Sequence, residues 1–187
     1  MKTLLFVICI LTQLITGVFA EACKKDVTLF LIEPSYKNYL ELNKNNSTED
    51  GNACWIELKR DIHNLAKLYK HAKQGNKWAI KILIQHMRDL DGGELEDAYR
   101  ALGESIDTAP KILLQEFCDG RMTEDQFTQA VEMLSLSFVD DKKGTLLALK
   151  TRKRKILSIK EAALKRQKQM AIKVIDSRIK EIVEEWP

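Results

Sequence analysis

Residues 94–120 read ELEDAYRALGESIDTAPKILLQEFCDG, and this stretch decides the fold class. Leu95, Ala98, Tyr99, Leu102 and Ile106 recur at the spacing that lines apolar side chains along one face of an α-helix. Pro110 cannot continue that helix but suits the first turn of a new one, which carries Ile112, Leu113, Leu114 and Phe117. Asp119-Gly120 closes it. Two helices joined by so short a connection pack as antiparallel neighbours.

The same punctuation extends outward in both directions. Upstream, Trp55, Ile62, Leu65, Ala66, Tyr69 and Ala72 read as one helix ended by Gln74-Gly75-Asn76, with Gly75 suited to the left-handed C-terminal position. A second helix runs from Lys77 to about Leu90 and is broken by Asp91-Gly92-Gly93. Downstream, Thr123 and Gln126 form a capping box that starts a helix through Phe127, Ala130, Val131 and Leu134. Lys142 to Glu185 would make one long rod, but Ser158-Ile159-Lys160-Glu161 reads as a second capping box, so two helices are expected to meet near Ser158.

Near the start, residues 22–33 carry no clear assignment, and Pro34 is expected to open a helix bearing Tyr36, Tyr39, Leu40 and Leu42. Asn43 to Asn52 is polar and turn-rich, a surface loop with overlapping glycosylation sequons at Asn45 and Asn46 that are used only if the host glycosylates. With three prolines, eight glycines and few β-branched or aromatic runs, the chain is expected to be all-α, a helical bundle or a short helical stack.

The segments Ile82-Leu83-Ile84, Leu90-Asp91-Gly92-Gly93, Ala101-Leu102-Gly103-Glu104 and Pro110 to Phe117 carry a further resemblance. Residues 82–117 resemble a helix-turn-helix segment of uncharacterised secreted bacterial helical proteins with a HEAT-like look. The resemblance implies a helical stack and carries no activity.

The first twenty residues set the compartment. Lys2 precedes an apolar run from Leu4 to Ile15 and a small-residue site at Val18-Phe19-Ala20, the pattern of a secretory signal peptide. The mature chain is then expected to begin at Glu21 and to be released, periplasmic or secreted, since the apolar run is short of the roughly 20 residues of a membrane span. Lipidation at Cys23 is disfavoured by the preceding Ala20-Glu21-Ala22, since that signal wants an apolar residue three before the cysteine and a small neutral one where Glu21 sits. The expected organisation is a signal peptide at 1–20, an N-terminal segment with its loop at 21–53 and a helical domain at 54–187, including basic helices at 142–187.

Export makes the cysteines informative. Cys9 leaves with the signal, so Cys23, Cys54 and Cys118 remain, an odd number in an oxidising compartment. If the intervening helices alternate up and down, Cys54 and Cys118 fall at one end of the bundle, which favours that bridge. Cys23 to Cys54 is the rival pairing, and a dimer through the unpaired thiol is the third arrangement.

Charge is strongly polarised. Lys142 to Pro187 holds 14 Lys and Arg against 5 Asp and Glu, whereas Glu21 to Asp141 holds 15 against 22. Within the basic part, Arg152, Lys153, Arg154 and Lys155 form the candidate interaction run. Such a run can meet an acidic partner, an anionic membrane surface or phosphates, or can simply be a solvated face. Nucleic acid is disfavoured by export and by the absence of an aromatic platform between Phe138 and Trp186. Leu149, Ile156, Ile159, Ala163, Met170 and Val174 read as core contacts rather than as a membrane-facing stripe.

Catalytic chemistry is hard to place. His63 and His71 are two turns apart with Lys67 between them, and His86 stands alone, so no metal site is expected. A calcium loop beginning at Asp89 fails at Gly93, Glu94 and Arg100. Gly103-Glu104-Ser105-Ile106-Asp107 lacks the second glycine of a nucleophile elbow. Glu94, Glu96, Asp97, Glu104 and Asp107 are pairs that an acidic helical segment offers by chance. The leading expectation is therefore an exported helical protein-interaction module, of the kind that inhibits or gives immunity to a secreted effector, with no catalytic residue, cofactor or metal. The alternatives are a peripheral envelope or membrane-surface binder acting through the basic C-terminal helices, and a hydrolase with an unrecognised site.

Overall fold

The computed structural model describes residues 21–44 and 53–185. Residues 1–20, where the signal peptide is expected, and the sequons at Asn45 and Asn46 lie outside the described residues. Within them all regular structure is helical: α1 (21–32), α2 (Tyr36–Lys44), α3 (Ala53–Lys59), α4 (Ile62–Lys73), α5 (Lys77–His86), α6 (Gly92–Thr108), α7 (Pro110–Cys118), α8 (Glu124–Glu132), α9 (Lys142–Leu157) and α10 (Lys165–Glu185), with short 3-10 turns between some of them. The chain is all-α. It divides into two compact units, Met1–Leu68 and Tyr69–Pro187.

In the first unit, the segment left unassigned from the sequence is a helix. Cys23, Val27, Phe30 and Leu31 are buried along α1 at intervals of about four residues. Pro34 does not open the next helix. It lies in the three-residue link, and α2 starts at Tyr36, where the Ser35 hydroxyl accepts the Asn38 N–H and the Ser35 carbonyl accepts that of Tyr39. The run from Trp55 to Ala72 is two helices rather than one, because Asp61 interrupts it and its carboxylate accepts the His63 N–H at 2.9 Å.

The disulfide corrects the favoured pairing. Cys23 is bonded to Cys54, both buried, and Cys118 is an exposed free thiol at the end of α7. The Cys54–Cys118 expectation counted only the helices after Trp55, whereas α1 places Cys23 with its Cα 4.8 Å from that of Cys54.

In the second unit the local signals act as read. Gly75 takes a positive φ of 80° and ends α4, and the Asn76 side chain accepts the N–H groups of Trp78 and Ala79 to start α5. Pro110 is the first residue of α7, and Thr123 with Gln126 forms the capping box of α8. Ser158 differs in detail. The rod does break there, but Ser158 caps the end of α9, its hydroxyl donating to the Lys155 carbonyl at 2.7 Å.

Helix α6 is buried nearly all round from Ala98 to Ile106 and packs against α5, α7, α8 and α9. Gly103 makes the approach to the end of α8 possible. A Cβ there would stand 2.2 Å from the Met133 carbonyl oxygen and 2.8 Å from that of Ala130.

The bridge closes a 31-residue separation, so opening it by Cys23→Ser with Cys54→Ser is expected to lower unfolding stability by roughly 3–4 kcal/mol on the chain-entropy account. Peptide mass mapping without reduction checks the pairing, and urea titration of the variant checks the magnitude.

Candidate functional site

Helix α9 carries seven cations, Lys142, Lys143, Lys150, Arg152, Lys153, Arg154 and Lys155, and no carboxylate. Successive helical positions turn by about 100°, so the four-residue basic run cannot point one way. It does not form one exposed surface.

Arg152 is fully buried. Its Nη1 donates to the carbonyls of Val131 at 2.7 Å and Met133 at 2.8 Å, and its Nη2 pairs with Asp107 Oδ2 at 2.9 Å. The two carbonyls belong to the end of α8, where the helix has no partners of its own to offer them. Lys155 Nζ donates to the backbone carbonyl of Asp107, and Lys153 Nζ reaches Asp176 on α10 at 2.6 Å. Only Arg154 is exposed, its guanidinium on the Thr151 hydroxyl at 3.0 Å.

A second arginine completes this arrangement. Arg100 of α6 is also buried, with Nη1 on the Leu134 carbonyl at 3.2 Å and Nη2 on Glu96 at 2.5 Å. The chain leaving α8 is thereby held on two sides. It runs extended through Ser135, makes a 3-10 turn at Leu136–Phe138 and is tied to α9 by Thr145, whose hydroxyl donates to the Phe138 carbonyl at 2.9 Å.

Beside this chain lies a cleft of about 570 Å³, walled by α6, α8, α9 and α10. Buried Leu149 and half-buried Met133, Leu134 and Phe138 supply apolar lining, and exposed Leu136 and Val139 border it. Glu96, Arg100, Glu132 and Arg178 are its charged groups. Partial burial and the nearby Glu181 carboxylate hold Glu132 above the usual carboxylate range, with Arg178 pulling in the opposite direction. Sequence reading passed over Leu136, Val139, Glu132 and Arg178. No periodicity marks them, because the cleft exists only once four helices have met.

The acids considered for catalysis are largely engaged in holding helices. Glu96 and Asp97 face Arg100, Glu104 pairs with Lys73 at 3.1 Å, and Asp107 holds Arg152. His63 and His71 lie on α4, while His86 is buried at the end of α5 with Nδ1 3.1 Å from Asp89. Burial lowers the His86 pKa against the opposing pull of Asp89. Among the described residues no three His, Cys, Asp or Glu side chains gather where a metal ion would sit, and no helix is long and apolar enough to cross a membrane. Comparison with family models, with curated proteins and with solved structures found no match.

Replacing Arg152 with Met is expected to destabilise the fold by about 3 kcal/mol, because it strands two carbonyls and the Asp107 carboxylate. Arg154→Gln should shift stability by less than about 0.5 kcal/mol. Chemical denaturation of the two variants makes the comparison.

The lowered His86 pKa sets a pH response. The unfolded chain takes up this proton first, so the contribution is full above about pH 6.5 and is lost as the pH falls from there through the folded-state value. Urea midpoints measured between pH 7 and pH 5 should fall less in a His86→Phe variant than in the unaltered chain.

Proposed function

We propose that this chain is an exported helical protein-interaction module whose cleft at the end of α8 receives an apolar segment of another protein. Inhibition of, or immunity to, a secreted effector is the role this reading favours. One observation carries it: an open cleft with Leu136 and Val139 exposed beside it, 61% and 60% respectively, built on a buried network that fixes its walls. Exposed apolar side chains around a preformed cavity mark a binding surface more often than chance scatter does.

The buried Cys23–Cys54 bridge supports export, since such bonds persist in oxidising compartments. The charged groups around the cleft support binding rather than chemistry. Arg100 is engaged with Glu96, and Arg178 with Glu181 at 3.0 Å.

The test is affinity capture from the exported fraction with the oxidised chain as bait, followed by titration of the captured partner. Leu136→Asp with Val139→Asp should weaken that complex at least about tenfold, the scale of a lost interface anchor, while leaving the far-ultraviolet circular dichroism unchanged. Unchanged affinity in a folded variant would overturn the assignment of the cleft.

A further inference from the structure

Helix α9 sorts its cations between inside and outside. Thr145, Leu149, Arg152 and Ile156 are buried along one face. Lys143, Leu147, Lys150, Arg154 and Leu157 follow one another at alternating steps of four and three residues, which places them along the opposite face. All five are exposed, the two leucines by 63% and 52%. Among the described residues no carboxylate pairs with Lys143, Lys150 or Arg154, and Asp141, just before the helix, is turned onto the Gly144 N–H at 2.8 Å. The stripe is about 21 Å long.

We propose that this face of α9 docks reversibly on the surface of a membrane rich in anionic phospholipids. Charge complementarity selects an anionic occupant, since the helix has no acid of its own. The mixture of side chains selects lipid over protein. The core of a protein interface is depleted of lysine and needs a contiguous apolar anchor, whereas this stripe has two lysines and an arginine among only two leucines. At a bilayer surface the same composition fits: the leucines reach the acyl boundary while the long cationic side chains extend to the phosphates. The inference is independent of the cleft, which the opposite side of α9 lines through Thr145 and Leu149.

The test is co-sedimentation of the oxidised chain with phosphatidylcholine vesicles, with and without about 30% phosphatidylglycerol, at low and at high salt. Binding is expected to the anionic vesicles only, and to fall as salt is raised. Lys143→Gln, Lys150→Gln and Arg154→Gln combined should lower the partition on the order of 100-fold, about fivefold for each charge, with thermal melting unchanged. Leu147→Ser with Leu157→Ser should weaken binding and leave its salt dependence in place. A control triple on α10, Lys165→Gln, Arg166→Gln and Lys173→Gln, should retain most of the binding. Failure of the unaltered chain to bind anionic vesicles would overturn the proposal, as would equal losses from the two charge triples. So would a protein partner that needs the stripe when vesicles do not.

Discussion

The buried guanidinium of Arg152 is the constraint on which the second unit depends. A charge removed from water is tolerated only where donors and acceptors replace the water completely, and here two carbonyls and a carboxylate do so. The arrangement satisfies both sides. The last carbonyls of α8 need donors, Asp107 near the end of α6 needs a cation, and one planar fork serves α6, α8 and α9 together. Lysine could not make this set of contacts, because its ammonium is a single point on a flexible stem. Gly103 is the steric counterpart of the same junction: any side chain there would strike the Met133 and Ala130 carbonyls.

From this junction follows the meaning of the charge polarity. Part of the excess basic charge of residues 142–187 is internal, laid against the preceding part of the chain: Arg152 pairs with the Asp107 carboxylate and Lys155 donates to the Asp107 backbone carbonyl, joining the two regions within one packed unit. Surface pairs such as Lys153 with Asp176 contribute only about 0–1 kcal/mol each. The buried pair matters differently. It fixes which carbonyls and which helices meet, and so fixes the cleft beside them.

The helices were legible in the sequence wherever a local rule sufficed. Gly75, Pro110 and the Thr123–Gln126 box act through neighbours within a turn, and each does what its chemistry dictates. Misreadings arose where the deciding partner was distant or the local signal had two meanings. Asp61 splits the run from Trp55 to Ala72 without disturbing its apolar spacing, and Pro34 suits a link as well as it suits a first turn. The Cys23–Cys54 bridge required α1, whose period of Cys23, Val27, Phe30 and Leu31 was present in the sequence but short. The candidate site was the least legible. A basic run looks like a patch in one dimension, and only the 100° turn per residue reveals that Arg152 faces inward while Arg154 faces out.

That division of labour along α9 explains how one helix can be both structural and available. Its inward face is over-determined, with Leu149 and Ile156 packed and Arg152 bonded on every side, so the outward face carries little of the folding free energy. Exposed leucines interleaved with unpaired cations gain nothing for the fold and add a hydrophobic liability. Their position on the outward side of a helix held from within makes them a surface whose sequence can be set by what it meets outside the protein, because the junction beneath keeps the helix in place whatever stands on that face.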